Sequence, residues 1–257
     1  MMDYIDSHAH LTMCDFDTTQ AILERARKAG INRMLTVSTD ETNWESNRQM
    51  ALSDRNIFYT LGLHPHTASR FAEVAPQLNG FFDNGIPTKC VAIGEMGLDF
   101  HYDKSPREIQ IDVFEAQLAL AARVGLPVII HCRDAFEQTF ASIRKQGLPR
   151  YGGVMHCFTG DATQAKEAVD LGLHISFSGI LTFKKADQIR EAARTVPLER
   201  ILLETDCPYL SPEPYRGKPN EPGRLAITAQ RLGAIRQLTI EDVAYATCQN
   251  TVELFRL

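Results

Sequence analysis

Six residues of metal-ligand type each close an apolar run along this chain: His8, His10, Glu95, His131, His156 and Asp206. Histidines at i and i+2 occur by chance in many chains, so His8-Ala9-His10 alone says little. On a strand, however, side chains alternate between faces. The two imidazoles then point the same way, about 6–7 Å apart along the strand, and both can reach one ion. Imidazole together with carboxylate suits Zn²⁺, Mn²⁺ or Fe²⁺ better than Mg²⁺, which prefers an all-oxygen shell. A single catalytic zinc takes about three or four protein ligands. The larger set here points to two divalent ions per chain. Glu95 is the expected bridge, as the only carboxylate ending a strand near mid-sequence.

The elements that must carry these residues alternate from end to end. Strands are expected at residues 4–8, 33–38, 57–61, 90–95, 127–131, 153–156, 174–178 and 200–205. Several, such as Val128-Ile129-Ile130 and Ile201-Leu202-Leu203, are continuously apolar, as a parallel sheet buried on both faces requires. Between them Ile111, Phe114, Leu118 and Ala121 recur at helical spacing, as do Leu225, Ala229, Leu232 and Ile235. Gly30, Gly125, Gly147 and Gly172 follow helical segments, where a left-handed C-cap is wanted. The fold class is therefore α/β: one (β/α)8 TIM barrel, a single domain over residues 1–257, with an extra C-terminal helix over 239–255. The C-terminal ends of barrel strands converge on one mouth, which makes neighbours of ligands far apart in sequence. The proline-rich stretch 208–222 reads as a long loop on that same face.

Composition narrows the function classes. A chain of 257 residues with 44% hydrophobic content buries a substantial core and has no run long enough to span a membrane. The acidic start, Met1-Met2-Asp3-Tyr4-Ile5-Asp6, lacks the features of a signal peptide, so a cytoplasmic location is expected. Six scattered cysteines without a C-x-x-C pair indicate neither a zinc finger nor a disulfide framework. Cys132, Cys157 and Cys207 each follow a ligand candidate and by alternation should face the covering helices. A net charge of −5 argues against binding nucleic acid on a broad basic surface. It leaves room for a metal centre and a few arginines engaging one phosphate at a time.

Longer motifs surround the ligand candidates. They are Asp6-Ser7-His8-Ala9-His10-Leu11, Gly62-Leu63-His64-Pro65, Gly94-Glu95-Met96-Gly97-Leu98-Asp99, His131-Cys132-Arg133-Asp134-Ala135 and His156-Cys157-Phe158-Thr159-Gly160. Ser178-Gly179, Leu203-Glu204-Thr205-Asp206-Cys207-Pro208-Tyr209-Leu210, Arg216-Gly217 and Asn220-Glu221-Pro222 follow. In content and order they resemble the TatD-type hydrolases, metal-dependent deoxyribonucleases of the amidohydrolase-like barrel superfamily, over almost the whole chain. The resemblance implies metal binding by His8, His10, Glu95, His131, His156 and Asp206. It also implies 3′ to 5′ exonuclease activity on DNA, at single-stranded ends, with Mg²⁺, Mn²⁺ or Zn²⁺ as the divalent ion. Many relatives carry cysteine between the first two histidines; here Ala9 stands there and should face away from the site.

The residues then take roles. Two metals activate water and stabilise the attacking and leaving oxygens of a phosphodiester. Glu95 and Asp206 are the catalytic carboxylates, with Asp206 accepting the proton of water. Glu204, two residues earlier on the same side, is expected to orient a ligand histidine. Arg133 is placed to clamp a phosphate. His64, Arg216, Lys218 and Asn220 are candidate substrate contacts, whereas His66, His101 and His174 read as ordinary histidines. Two rivals stand beside a monomeric nuclease. One is a hydrolase of ester or amide substrates on the same barrel, aminoacyl-tRNA esters included. Many such enzymes bridge their metals with a modified lysine, and here Glu95 fills that position. The other is a partner-binding scaffold with structural metals, which chelation would destabilise rather than merely inactivate.

Overall fold

The computed structural model describes residues 3–257. Its strands are β1 (Tyr4–Ala9), β2 (Ile31–Thr36), β3 (Ile57–Leu61), β4 (Cys90–Asp99), β5 (Val128–Arg133), β6 (Gly153–Met155), β7 (Leu173–Phe177) and β8 (Ile201–Leu203). Helices alternate with them: α1 (Thr19–Lys28), α2 (Glu41–Ser53), α3 (Phe71–Gly80), α4 (Arg107–Val124), α5 (Phe136–Gln146), α6 (Ala162–Asp170), α7 (Asp187–Thr195) and α8 (Leu225–Arg236). A further helix, α9 (Ile240–Phe255), ends the chain. The strands pair in sequence order, each parallel to the next, in one eight-stranded sheet. This is the (β/α)8 barrel with an added C-terminal helix that the alternation requires.

The barrel closes beyond its last strand. β8 stops at Leu203, and the segment after it takes over pairing with β1. Asp206 N donates to His8 O at 2.9 Å, and His10 N donates to Cys207 O at 2.8 Å. Asp6 adds a side-chain lock, its carboxylate accepting from Thr205 N at 2.9 Å and from Thr205 Oγ1 at 2.5 Å. At the opposite end, Ile5, Leu35, Ile129, Val154 and Leu202 pack with Cys248, Leu254 and Phe255 of α9. The extra helix thus covers the N-terminal end of the strands and leaves the C-terminal end open.

One strand departs from expectation in a way that matters for the site. β4 runs four residues past Glu95, to Asp99. Gly94 and Gly97 make this continuation possible, with φ of 144° and 141°. A Cβ on Gly94 would stand 2.6 Å from Ile129 O, and one on Gly97 would overlap His131 O. Only glycine lets β4 lie so close to β5. The pairing slips between Ile93 and Met96, and that irregularity aims Glu95 into the mouth.

Candidate metal centre at the barrel mouth

The mouth assembles its side chains from the ends of separate strands. His8 lies on β1 with His10 just after it, and Glu95 and His131 lie within β4 and β5. His156 follows β6 and Asp206 follows β8. All are buried except His131, which is partly exposed. Asp206 has φ of 55°, the left-handed region that few residues other than glycine, asparagine and aspartate enter. Backbone held there by its surroundings is a common mark of a working site.

The donor atoms form two groups that share one carboxylate. In the first, His8 Nε2 and His10 Nε2 stand 3.4 Å apart. Glu95 Oε2 lies 3.4 Å from His8 and 3.6 Å from His10, and Asp206 Oδ1 lies 3.7 Å and 3.3 Å from the same two nitrogens. A tetrahedral ion with arms of about 2.0–2.1 Å needs ligands about 3.3–3.4 Å apart. The first group fits that cage. In the second, Glu95 Oε1 lies 2.9 Å from His131 Nδ1 and 2.8 Å from His156 Nε2, with those nitrogens 3.4 Å apart. Each oxygen of Glu95 therefore faces its own set of imidazoles.

Hydrogen-bond partners assign the tautomers, and these separate ligands from donors. His10 Nδ1 donates to Val37 O at 3.1 Å, so its inward Nε2 carries a lone pair. His131 Nε2 donates to Asp99 Oδ2 at 3.0 Å, which leaves Nδ1, 2.9 Å from Glu95 Oε1, as the nitrogen that offers a lone pair once the ring is neutral. His156 Nδ1 faces Glu204 Oε1 at 3.4 Å and leaves Nε2 free. His64 is the reverse. Its Nδ1 accepts from His66 N at 3.1 Å, so Nε2, 3.3 Å from Glu95 Oε1, bears the hydrogen. Although His64 is close enough to join the second group, its lone pair points the wrong way. It is built to donate to something in the mouth.

Electrostatics follow the same division. Burial alone would push the Glu95 carboxyl up, but His156, His64 and His131 outweigh it and hold Glu95 well below the usual carboxylate range. Asp206 is likewise lowered, against burial, by His10 and His8. Burial disfavours charge on the imidazoles as well. Glu95 and Glu204 nevertheless raise His156 well above the ordinary value, and carboxylates raise His10 and His131. Burial takes His64 down to about 4, so it stays neutral near pH 7. Raised histidines hold protons at a pH where ordinary ones have lost them, and an ion needs their lone pairs. Metal uptake at pH 7 is therefore expected to release protons, and affinity should fall as pH drops. Calorimetry in buffers of different ionisation enthalpy measures this; uptake without proton release would contradict the ligand set.

Other candidates fall differently. Glu204 is fully buried, accepts from Cys157 N at 2.6 Å and has its Oε1 3.4 Å from His156 Nδ1. Arg133 sits at the rim with its guanidinium 4.7 Å from the Tyr102 ring centroid. Arg216 is exposed and stacked 3.8 Å over Phe183. Asn220 is not a substrate contact: it is fully buried, its Nδ2 donates to Thr205 O, and its Oδ1 accepts from Glu221 N. Both ends of the amide anchor the loop after β8. Cys132 does face a helix, accepting from Thr139 of α5 at 3.4 Å. Cys157 instead lies 3.4 Å from Ser178, because β6 has already ended and strand alternation no longer applies.

Asp99 and His66 join the mouth although neither closes a strand expected from the sequence. The buried Asp99 carboxylate takes His131 Nε2 and His66 Nε2 on one oxygen, each at 3.0 Å. Its other oxygen accepts from the backbone N–H groups of His101 and Tyr102 at 3.1 and 2.8 Å. The signal was present: Glu95, Gly97 and Asp99 share one side of a strand that continues.

Comparison with known proteins gives this chain a family. A model of the family described as TatD related DNase matches residues 5–256. The uncharacterized metal-dependent hydrolase YabD of Bacillus subtilis (strain 168) is 40% identical over 253 residues, 98% of each chain. The 3′-5′ ssDNA/RNA exonuclease TatD of Erwinia amylovora is 38% identical over 246 residues, 92% of this chain and 93% of its own. Among solved structures, the TatD homologue YJJV of Escherichia coli K12 matches with a TM-score of 0.94 at 32% identity, covering 99% of this chain and 98% of that one.

Proposed function

The chain belongs to the TatD related DNase family of metal-dependent hydrolases, and from that premise we propose that it is a 3′ to 5′ exodeoxyribonuclease working through a dinuclear site. One observation carries the reading: Glu95 presents one oxygen to His8 and His10 and the other to His131 and His156. The relative named as an exonuclease on single-stranded DNA and RNA supports a polynucleotide substrate.

The donor set suits two borderline divalent ions: His8, His10, Glu95 and Asp206 would hold one, and Glu95, His131 and His156 the other. When bound, they supply Lewis-acid charge and acidify water at the phosphodiester. The chain's own groups do the rest. Asp206, on the outer side of the first group, accepts the proton of the attacking water. His64 Nε2–H, neutral at pH 7, donates to a phosphoryl oxygen and steadies charge as it builds there. Glu204 and Asp99 hold His156 and His131 in the tautomers that keep their inward nitrogens free. Arg133 pairs with the phosphate at the rim. Arg133→Ala should raise KM about 10-fold with little change in kcat, since a charge-assisted contact contributes about that much. An unchanged KM would remove Arg133 from the site.

The reading is tested with 3′-end-labelled single-stranded DNA and metal-free protein, restoring Mg²⁺, Mn²⁺ or Zn²⁺ in turn. Stepwise loss of terminal nucleotides with one of these ions is the expected result. No cleavage with any ion would overturn it and direct attention to ester or amide substrates.

A further inference from the structure

Exposed apolar side chains are not spread evenly over this molecule. Met13, Phe16, Tyr102, Tyr209 and Tyr215 all project from loops that follow strands, on the face that carries the histidine cluster. Scattered surface apolar groups need no explanation, but a concentration around one opening does. Two of them stand directly beside the cluster. Tyr209 is 49% exposed, and its ring meets His10 edge-on, at 5.9 Å between centroids and 71° between planes. Its backbone is fixed, because Tyr209 N donates to Asp206 O at 2.9 Å. Tyr102 is 54% exposed and meets His66 edge-on, at 5.5 Å and 87°. It comes from the loop after β4, away from the β1–β8 seam that carries Tyr209, and Arg133 lies over its ring.

Each ring meets a histidine of the mouth at a steep angle and stays about half exposed, one on either side of the metal-binding groups, although Tyr102 also packs on His101 at 4.9 Å and has Lys104 Nζ 5.8 Å from its centroid. A planar, sequence-tolerant ligand is what such faces accept, and a nucleobase is the planar group joined to a phosphodiester. We propose that Tyr209 and Tyr102 are stacking platforms for the bases on the two sides of the scissile phosphate, with the guanidinium of Arg133 reinforcing the Tyr102 stack. This rests on the nuclease reading and deepens it: the enzyme grips bases by their faces and takes any sequence whose ends are unpaired.

The test uses metal-loaded wild type, Tyr209→Ala, Tyr102→Ala and the control Tyr245→Ala. Tyr245 is 71% exposed on α9, at the other end of the barrel. Substrates are a single-stranded oligonucleotide and two copies with a tetrahydrofuran abasic site at the 3′-terminal or the penultimate position. Loss of one stack should raise KM about 10-fold with kcat within about twofold. Each abasic site should cost wild type a similar factor. It should cost nothing further in the one tyrosine variant whose partner base it removes, and its full factor in the other variant and in the control. Equal penalties in wild type and both variants, or abasic sites that cost wild type nothing, overturn the platforms while the nuclease stands. Failure of wild type to cleave any oligonucleotide overturns both.

Discussion

Glu95→Gln is expected to cut hydrolysis by about 10³-fold or more and to leave one bound ion per chain where the dinuclear proposal gives wild type two, since members of a catalytic unit show losses of that order. The substitution conserves shape while changing chemistry. A carboxylate offers a lone pair and half a negative charge at each oxygen, and here each oxygen faces a separate set of imidazoles. An amide keeps one oxygen and turns two hydrogens toward the other set, so only one cage retains its carboxylate. The neighbouring imidazoles keep their own anchors at Val37 O, Asp99 and Glu204, so the fold should survive. Metal analysis with a circular dichroism melt separates these effects. Two ions and near-normal turnover in Glu95→Gln would refute the bridge.

Asp206→Asn should lower kcat by about 10³–10⁴-fold with KM near that of wild type, because it removes the proposed proton acceptor while its amide oxygen can still serve the first donor group. Asparagine is a sharper probe than alanine at this position. Asp206 has φ of 55°, a region asparagine enters as readily as aspartate and alanine enters only with strain. Its backbone N–H, which pairs with His8 O across the seam, is also untouched. A drop in kcat therefore reports on the carboxylate alone. If turnover stays within about tenfold of wild type while both ions remain, another group accepts the proton.

Much of the site was legible because strands impose a period of two. His8 and His10 share a side by that rule alone, and the apolar runs before Glu95, His131 and His156 mark where strands run into the mouth. The same rule failed where a strand end was misplaced. Taking β4 to stop at Glu95 hid Asp99, four residues on and on the same side, although Gly94 and Gly97 mark a strand pressed against its neighbour. Asn220 failed for another reason. A polar residue in a proline-rich loop looks the same in sequence whether it faces substrate or holds its own backbone, and only the fold shows Thr205 O and Glu221 N on either side of it. The direction of the His64 lone pair was equally invisible, since it depends on a backbone N–H two residues away.

The closure of the barrel between β1 and the segment after β8 has a consequence for synthesis. The first group of donors takes two histidines from the opening strand and one carboxylate from residue 206, across a seam zipped by hydrogen bonds of those same residues. A nascent chain on the ribosome displays His8 and His10 long before Asp206 exists. No shorter intermediate can complete that cage, so the first donor group forms only when the last strand docks, and an ion bound there would clasp the two ends of the sheet together.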